Sequence, residues 1–134
     1  MITHEQATDA ILDLFATAWA NATPIAYPNV AFSPPEGEPW VRITVRHGEA
    51  TLVSLGTAPC FRRRGVAIVQ VFATEGEAGA GALQLADQVV STLQAKLTSG
   101  VQLQASAVQE IGPDGRGHYQ VNVSTPFSYT QASA

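Results

Sequence analysis

Gly65-Val-Ala-Ile-Val-Gln-Val-Phe-Ala73 decides how the rest of the chain is read. Val66, Ile68 and Phe72 fall on one side of an extended chain, and Ala67, Val69 and Val71 on the other. A strand apolar on both faces is covered on both, so this one is expected near the centre of a sheet. It leads through Glu75-Gly-Glu-Ala-Gly-Ala-Gly81 into a helical pattern ending near Leu97. Leu83, Ala86, Val89, Val90, Leu93 and Leu97 make one apolar stripe, suited to lying on that sheet.

Working outward towards the start, Thr3 and Gln6 have capping-box spacing. Ala7, Ala10, Ile11, Leu14, Phe15, Ala18 and Trp19 then recur at three- and four-residue steps. They predict an amphipathic helix running to about Asn21. Its polar face lacks Lys and Arg, which argues against a membrane-surface role. From Thr23 to Pro39 the chain holds Pro24, Pro28, Pro34, Pro35, Gly37 and Pro39. That density forbids a helix and removes ladder donors, so residues 23–39 are expected to be an extended linker pinned by Tyr27, Val30 and Phe32.

Trp40 to Arg46 alternates cleanly as a half-buried strand. His47-Gly-Glu49 is read as a turn and Ala50 to Leu55 as the returning strand of a hairpin. Gly56-Thr-Ala-Pro59 breaks the chain before the central strand, giving a three-stranded meander. Val101 to Val108 and His118 to Tyr129 alternate around an Ile111–Gly117 turn, a second hairpin. Residues 130–134 are expected to fray. The predicted fold class is α+β, in the order α-β-β-β-α-β-β. It comprises a single antiparallel or mixed sheet of about five strands, with two helices packed on one face. All 134 residues fall in one domain.

Composition narrows the function. The hydrophobic fraction is 46% and the charged fraction 13%, as in ordered globular chains. A net charge of −4 gives no bulk attraction to nucleic acid or anionic membrane. The single cysteine, Cys60, forms no internal disulfide and suits a reducing compartment. No apolar run reaches the roughly 20 residues of a membrane span, and the first residues lack a signal-peptide pattern. These features predict a soluble cytoplasmic product when the chain is made.

Catalytic patterns are missing. The glycines at 76, 79 and 81 have neither P-loop nor dinucleotide spacing, and Glu75 and Glu77 would repel phosphate. His4, His47 and His118 are isolated from one another in sequence, and no His, Cys or carboxylate pair has metal-ligand spacing. Asp87 has no acid/base companion. The expectation is therefore no enzyme, no cofactor and no metal. Arg62-Arg-Arg64 is the one charge cluster. Strand alternation keeps all three from sharing a face unless a bulge or turn intervenes. The reading is either solvated arginines in a loop or a subunit contact that meets Glu75, Glu77 or Asp114 of a neighbour. Arg42 and Arg46, on the polar face of the first strand, can join such a contact.

The segments Trp40-Val-Arg-Ile-Thr-Val-Arg46, Arg64-Gly-Val-Ala-Ile-Val-Gln-Val-Phe72, Gly79-x-Gly81 and Ala86-Asp-Gln-Val89 resemble small tail proteins of long-tailed bacteriophages. More narrowly, the chain is similar to the tail terminator (tail completion) family, which includes the lambda-type minor tail protein. The resemblance spans residues 3–129. It implies a structural virion protein that forms a ring, usually a hexamer, which caps the tail tube, ends its polymerisation and presents the head-joining surface. Its partners would be further copies of itself, the tail tube protein and a head completion or neck protein. Neither a membrane nor a specific nucleic-acid sequence would be bound. Its place would be the virion tail, with host cytoplasm during assembly. Arg42, Arg46, Arg62, Arg63 and Arg64 are the expected contact residues. The alternatives are a head–tail connector ring and, from another class, a small-ligand-binding α+β module, which predicts a deep pocket with converging polar groups.

Overall fold

Thr3 caps helix α1 (His4–Trp19), as its spacing predicts. Its hydroxyl accepts from the Gln6 amide while the Gln6 side chain accepts from the Thr3 amide. In this computed structural model, residues 2–20, 22–35, 37–74, 80–115 and 117–132 are described. The helix ends at Trp19 because Ala20 turns left-handed, with φ 52°. The expected end at Asn21 lies outside the described residues. Ala7, Ile11, Phe15 and Trp19 form the buried stripe.

Seven strands follow: β1 (Ile25–Ala26), β2 (Trp40–Ser54), β3 (Cys60–Thr74), β4 (Leu97–Thr98), β5 (Val101–Leu103), β6 (Ala107–Pro113) and β7 (His118–Ala132). Helix α2 (Ala80–Leu93) lies between β3 and β4. The sheet order is β1-β2-β3-β7-β5-β4, with β6 also paired to β7. This overturns the expected α+β fold of about five strands with two helices on one face. Among the described residues the chain is mostly sheet: seven strands curl into one half-barrel, with only two helices. β2, β3 and β7 each run 15 residues, and strands that long accumulate enough twist to curl a sheet.

Three local corrections explain the difference. Residues 47–49 do not turn; they form a β-bulge, and β2 runs through them to pair with β3 as far as Ser54↔Cys60. An extra residue kinks a strand and sharpens its twist without ending it. The reversal comes instead at 55–59. Leu97 leaves the helical stripe, because α2 stops at Leu93 and Ala95 adopts φ 57°. The Ala95 amide then donates to the Gln104 carbonyl, and Leu97 enters β4, 74% exposed. Finally, β7 continues past Tyr129, with Thr130, Gln131 and Ala132 paired to β3. The described part of the expected frayed tail is therefore strand, and residues 133–134 lie outside the described set.

β3 is interior, flanked by β2 and β7, in keeping with its apolar pattern. Its inner face, Ala67, Val69, Val71 and Ala73, is buried with Val41, Ile43, Val121, Val123, Phe127, Tyr129 and both helices in one core. Its outer face, turned away from the helices, is half-covered at Val66, Ile68 and Gln70. At the Phe72 end of that face lies a second, smaller core of Ala26, Trp40 and Phe72, with Phe32 packed against it. The proline-rich segment thus covers one end of the outer face. Phe32 pins it there and Tyr27 packs on the main core, while Val30 is exposed.

Candidate functional site

The arginines sort by strand parity. On β3, Arg62 and Arg64 share the outer face with Val66, Ile68 and Gln70, while Arg63 falls on the inner face. On β2, Arg42 and Arg46 are outer-face residues, opposite Gln70 and Val66. Four guanidinium groups are therefore exposed on one side of the sheet. Arg64 makes only a 3.5 Å contact to the Thr51 hydroxyl, and Arg42 lies over the Trp40 ring at 5.3 Å. Arg63 is engaged within the subunit: its Nε donates to Gln131 Oε1 at 2.9 Å, and Gln131 Nε2 donates to the Ile2 carbonyl at 2.6 Å. Glu75 and Glu77, two of the carboxylates expected to face these arginines in a neighbour, lie outside the described residues.

Beyond the bulge, β2, β3 and β7 run on together as far as Ser54, Cys60 and Ala132, a three-stranded arm whose β2 residues are all exposed. Leu52, Val53 and Leu55 sit near its tip with their side chains largely in solvent. The sheet also keeps open backbone. β1 pairs only with Val41 and Arg42, so residues 43–54 of β2 have no described strand on that side. At the other side of the sheet β6 pairs only with β7, and Val108 and Ile111 are exposed on it. Unpaired edges are templates for another chain. Local alternation marks strands but not which of their edges end up free, so neither open edge was visible in the sequence.

At the opposite end of the arm's strands is a groove of about 660 Å³, floored by Trp40 and Phe72 and walled by Pro34 and Pro35. Trp40 stacks on Phe72 with centroids 4.1 Å apart, and Phe32 lies 5.1 Å from Trp40. His118 closes one side, its Nε2 3.0 Å from the Glu38 carbonyl. Asp114, on the β6–β7 turn, accepts from the His118 amide at 3.1 Å and also lines the groove. The indole Nε1 of Trp40 is buried without a hydrogen-bond partner among the described residues. The proline run and Trp40 were visible in the sequence as separate features. Only pairing of β2, β3 and β7 brings them to Phe72 and His118.

Folding also gathers groups isolated in sequence. His4 and His47 lie 4.9 Å apart, with Thr8 Oγ1 2.8 Å from His47 Nε2 and Tyr129 Oη 3.5 Å from His47 Nδ1. Partial burial, then the neighbouring His4, lowers the His47 pKa below its ordinary value. Burial raises that of Tyr129, with Arg63 opposing. His118 is far from this pair, in the groove. Among the described residues no three His, Cys, Asp or Glu groups converge to hold a metal ion. Asp87 is exposed on α2, and the glycine-rich turn lies outside the described residues except for Ala80 and Gly81, which open α2.

The model of a family described as phage tail terminator protein matches residues 6–129. A solved structure is similar in fold, with a TM-score of 0.62 and 21% identity over 91% of this chain and 94% of that one. Among curated proteins none matches.

Proposed function

From the premise that this chain belongs to the phage tail terminator family, a structural component of the phage tail that associates with other tail proteins, we propose that it forms a ring, of six subunits, that caps the tail tube. The ring ends tube polymerisation and presents the surface to which the head joins. The family match over nearly the whole chain carries this reading. The subunit's unspent surface supports it: an exposed arm, two open sheet edges and four arginines on one face. A ring needs two different complementary patches per subunit, because head-to-tail contacts close only by rotation.

Arg42, Arg46, Arg62 and Arg64 are the proposed contact residues towards a neighbouring subunit or the tube. Arg63 serves within the arm, tying β3 to β7 through Gln131. Charge-matched contacts of this kind set register and partner choice more than raw affinity. The partners are further copies of this chain, the tail tube protein and the head completion or neck protein, and its place is the virion tail.

The test is polymerisation of tube protein in the presence and absence of this chain, followed by electron microscopy. The expected outcome is arrested growth with a ring at one tube end. Reversal of Arg62 and Arg64 to Glu is expected to abolish capping while the fold persists. Tubes that grow without limit in excess wild-type chain would overturn the reading.

A further inference from the structure

We infer that the tip of the β2–β3 arm seats in the Trp40–Phe72 groove of a second copy of this chain. The inference deepens the ring reading and rests on it. Two surfaces are left over within one subunit, and they match. The tip presents apolar side chains to water: Leu55 is 83% exposed, Val53 53% and Leu52 47%. Soluble chains rarely leave such clustered apolar surface uncovered unless something docks on it. The groove offers an aromatic floor and two prolines, with room for several side chains.

Charge agrees with shape. The exposed charged residues of the arm are Glu49, Arg62 and Arg64, one acid and two bases. Among the described residues, the charged side chains at the groove are Arg42, Asp114 and the adjoining Glu38, two acids and one base. Asp114 was one of the carboxylates expected from the sequence to meet the arginines of a neighbour.

Geometry excludes self-satisfaction. Trp40 and the tip stand at opposite ends of the same strand pair, about 12 residues of β3 or up to roughly 40 Å along the strand at the usual rise. An arm cannot fold back that far while β2 and β3 remain paired, so the contact passes from one copy to the next. A knob at one end and a socket at the other make a heterologous contact, the kind that generates rings when the rotation closes.

Two exposed positions test the contact without disturbing the core: Leu55→Asp in the knob and Pro34→Asp in the socket. Masses are read by light scattering across a wide concentration range, with circular dichroism confirming that each variant is folded. The wild-type chain is expected to assemble and each single variant to fall to one subunit. An equimolar mixture of the two variants is expected to recover a species of two subunits and stop there, since that pair joins the one sound knob to the one sound socket. Two variants that assemble like the wild type, or a mixture that stays at one subunit, overturn this contact and leave the ring reading standing. A wild-type chain that remains one subunit at every concentration, alone or with tube protein, overturns both.

Discussion

Gly65→Ala is the sharpest probe of how the sheet is built. Gly65 sits in the middle of the half-barrel, paired to His47 on β2 and to Phe127 on β7. A Cβ built there would overlap the Arg46 carbonyl oxygen and Cζ of Phe127, and would lie 2.9 Å from Cε1 of the same ring. The aromatic ring occupies the space that the missing side chain leaves. Phe127 is 1% exposed and has nowhere to go, and the carbonyl belongs to the central ladder. Forced overpacking of a core costs about 1–3 kcal/mol, and overlap with backbone places this site at the upper end, about 3 kcal/mol. At about 2.1 cal/mol/K per residue over 134 residues, the unfolding entropy is about 0.28 kcal/mol/K, so the melting temperature should fall by about 10 °C.

The sign makes the test decisive. Where the backbone tolerates it, Gly→Ala stabilises by about 0.4–1 kcal/mol, because the unfolded chain loses freedom. Thermal unfolding followed by circular dichroism reads the difference directly. The Gly65→Ala/Phe127→Leu double variant should cost about 1 kcal/mol less than the sum of the two single changes, since removing the ring relieves one overlap and leaves the carbonyl. A Gly65→Ala protein that melts at or above the wild-type temperature would refute the packing argument.

Other expectations follow from single sites. Phe15→Ala removes a fully buried ring stacked 5.3 Å from Trp19 and should cost about 3–5 kcal/mol in denaturant unfolding; a loss under about 1 kcal/mol would show that α1 is not docked on the core. Thr3→Ala removes the hydroxyl arm of the capping box, leaving the amide of residue 3 to donate to Gln6, and should cost about 1 kcal/mol, with Thr3→Ser close to wild type. The folded state disfavours protonated His47, whose ordinary value is 6.5, so the unfolded chain takes up the proton first. Stability from this site is present above that value and is lost as pH falls through it. Melting temperatures measured from pH 8 to pH 5 should therefore decline more steeply for the wild type than for His47→Asn, and parallel curves would remove His47 from the account.

Local features of the chain were legible because their causes are local. The capping box needs two residues three apart, and Thr3 and Gln6 form it as read. Period-two alternation placed Tyr119, Val121, Val123, Thr125, Phe127 and Tyr129 on one face; Tyr119 is half-buried and the other five are buried. Parity likewise separated Arg63 from Arg62 and Arg64 before any coordinates, and the same apolar pattern marked β3 as interior. The helical stripe of α2 was legible from Ala86 to Leu93, but Leu83 is exposed and no local signal distinguished Leu97, whose fate depends on Gln104 taking the Ala95 amide.

What the tertiary structure alone decided were the pairings. Whether His47-Gly-Glu49 turns or bulges depends on β3 offering Arg63 and Arg62 to Ala50 and Thr51, a choice settled by partners more than ten residues away. The two-residue strands β1 and β4 exist only because β2 and β5 are there to receive them. The curl of the sheet, the meeting of His4, His47 and Tyr129, and the groove beneath Pro34 and Pro35 all arise from the same cause. Side-chain order along a strand is written in the chain itself. Register, free edges and what lies opposite a glycine are properties of two segments together, and they come into being only when the segments meet.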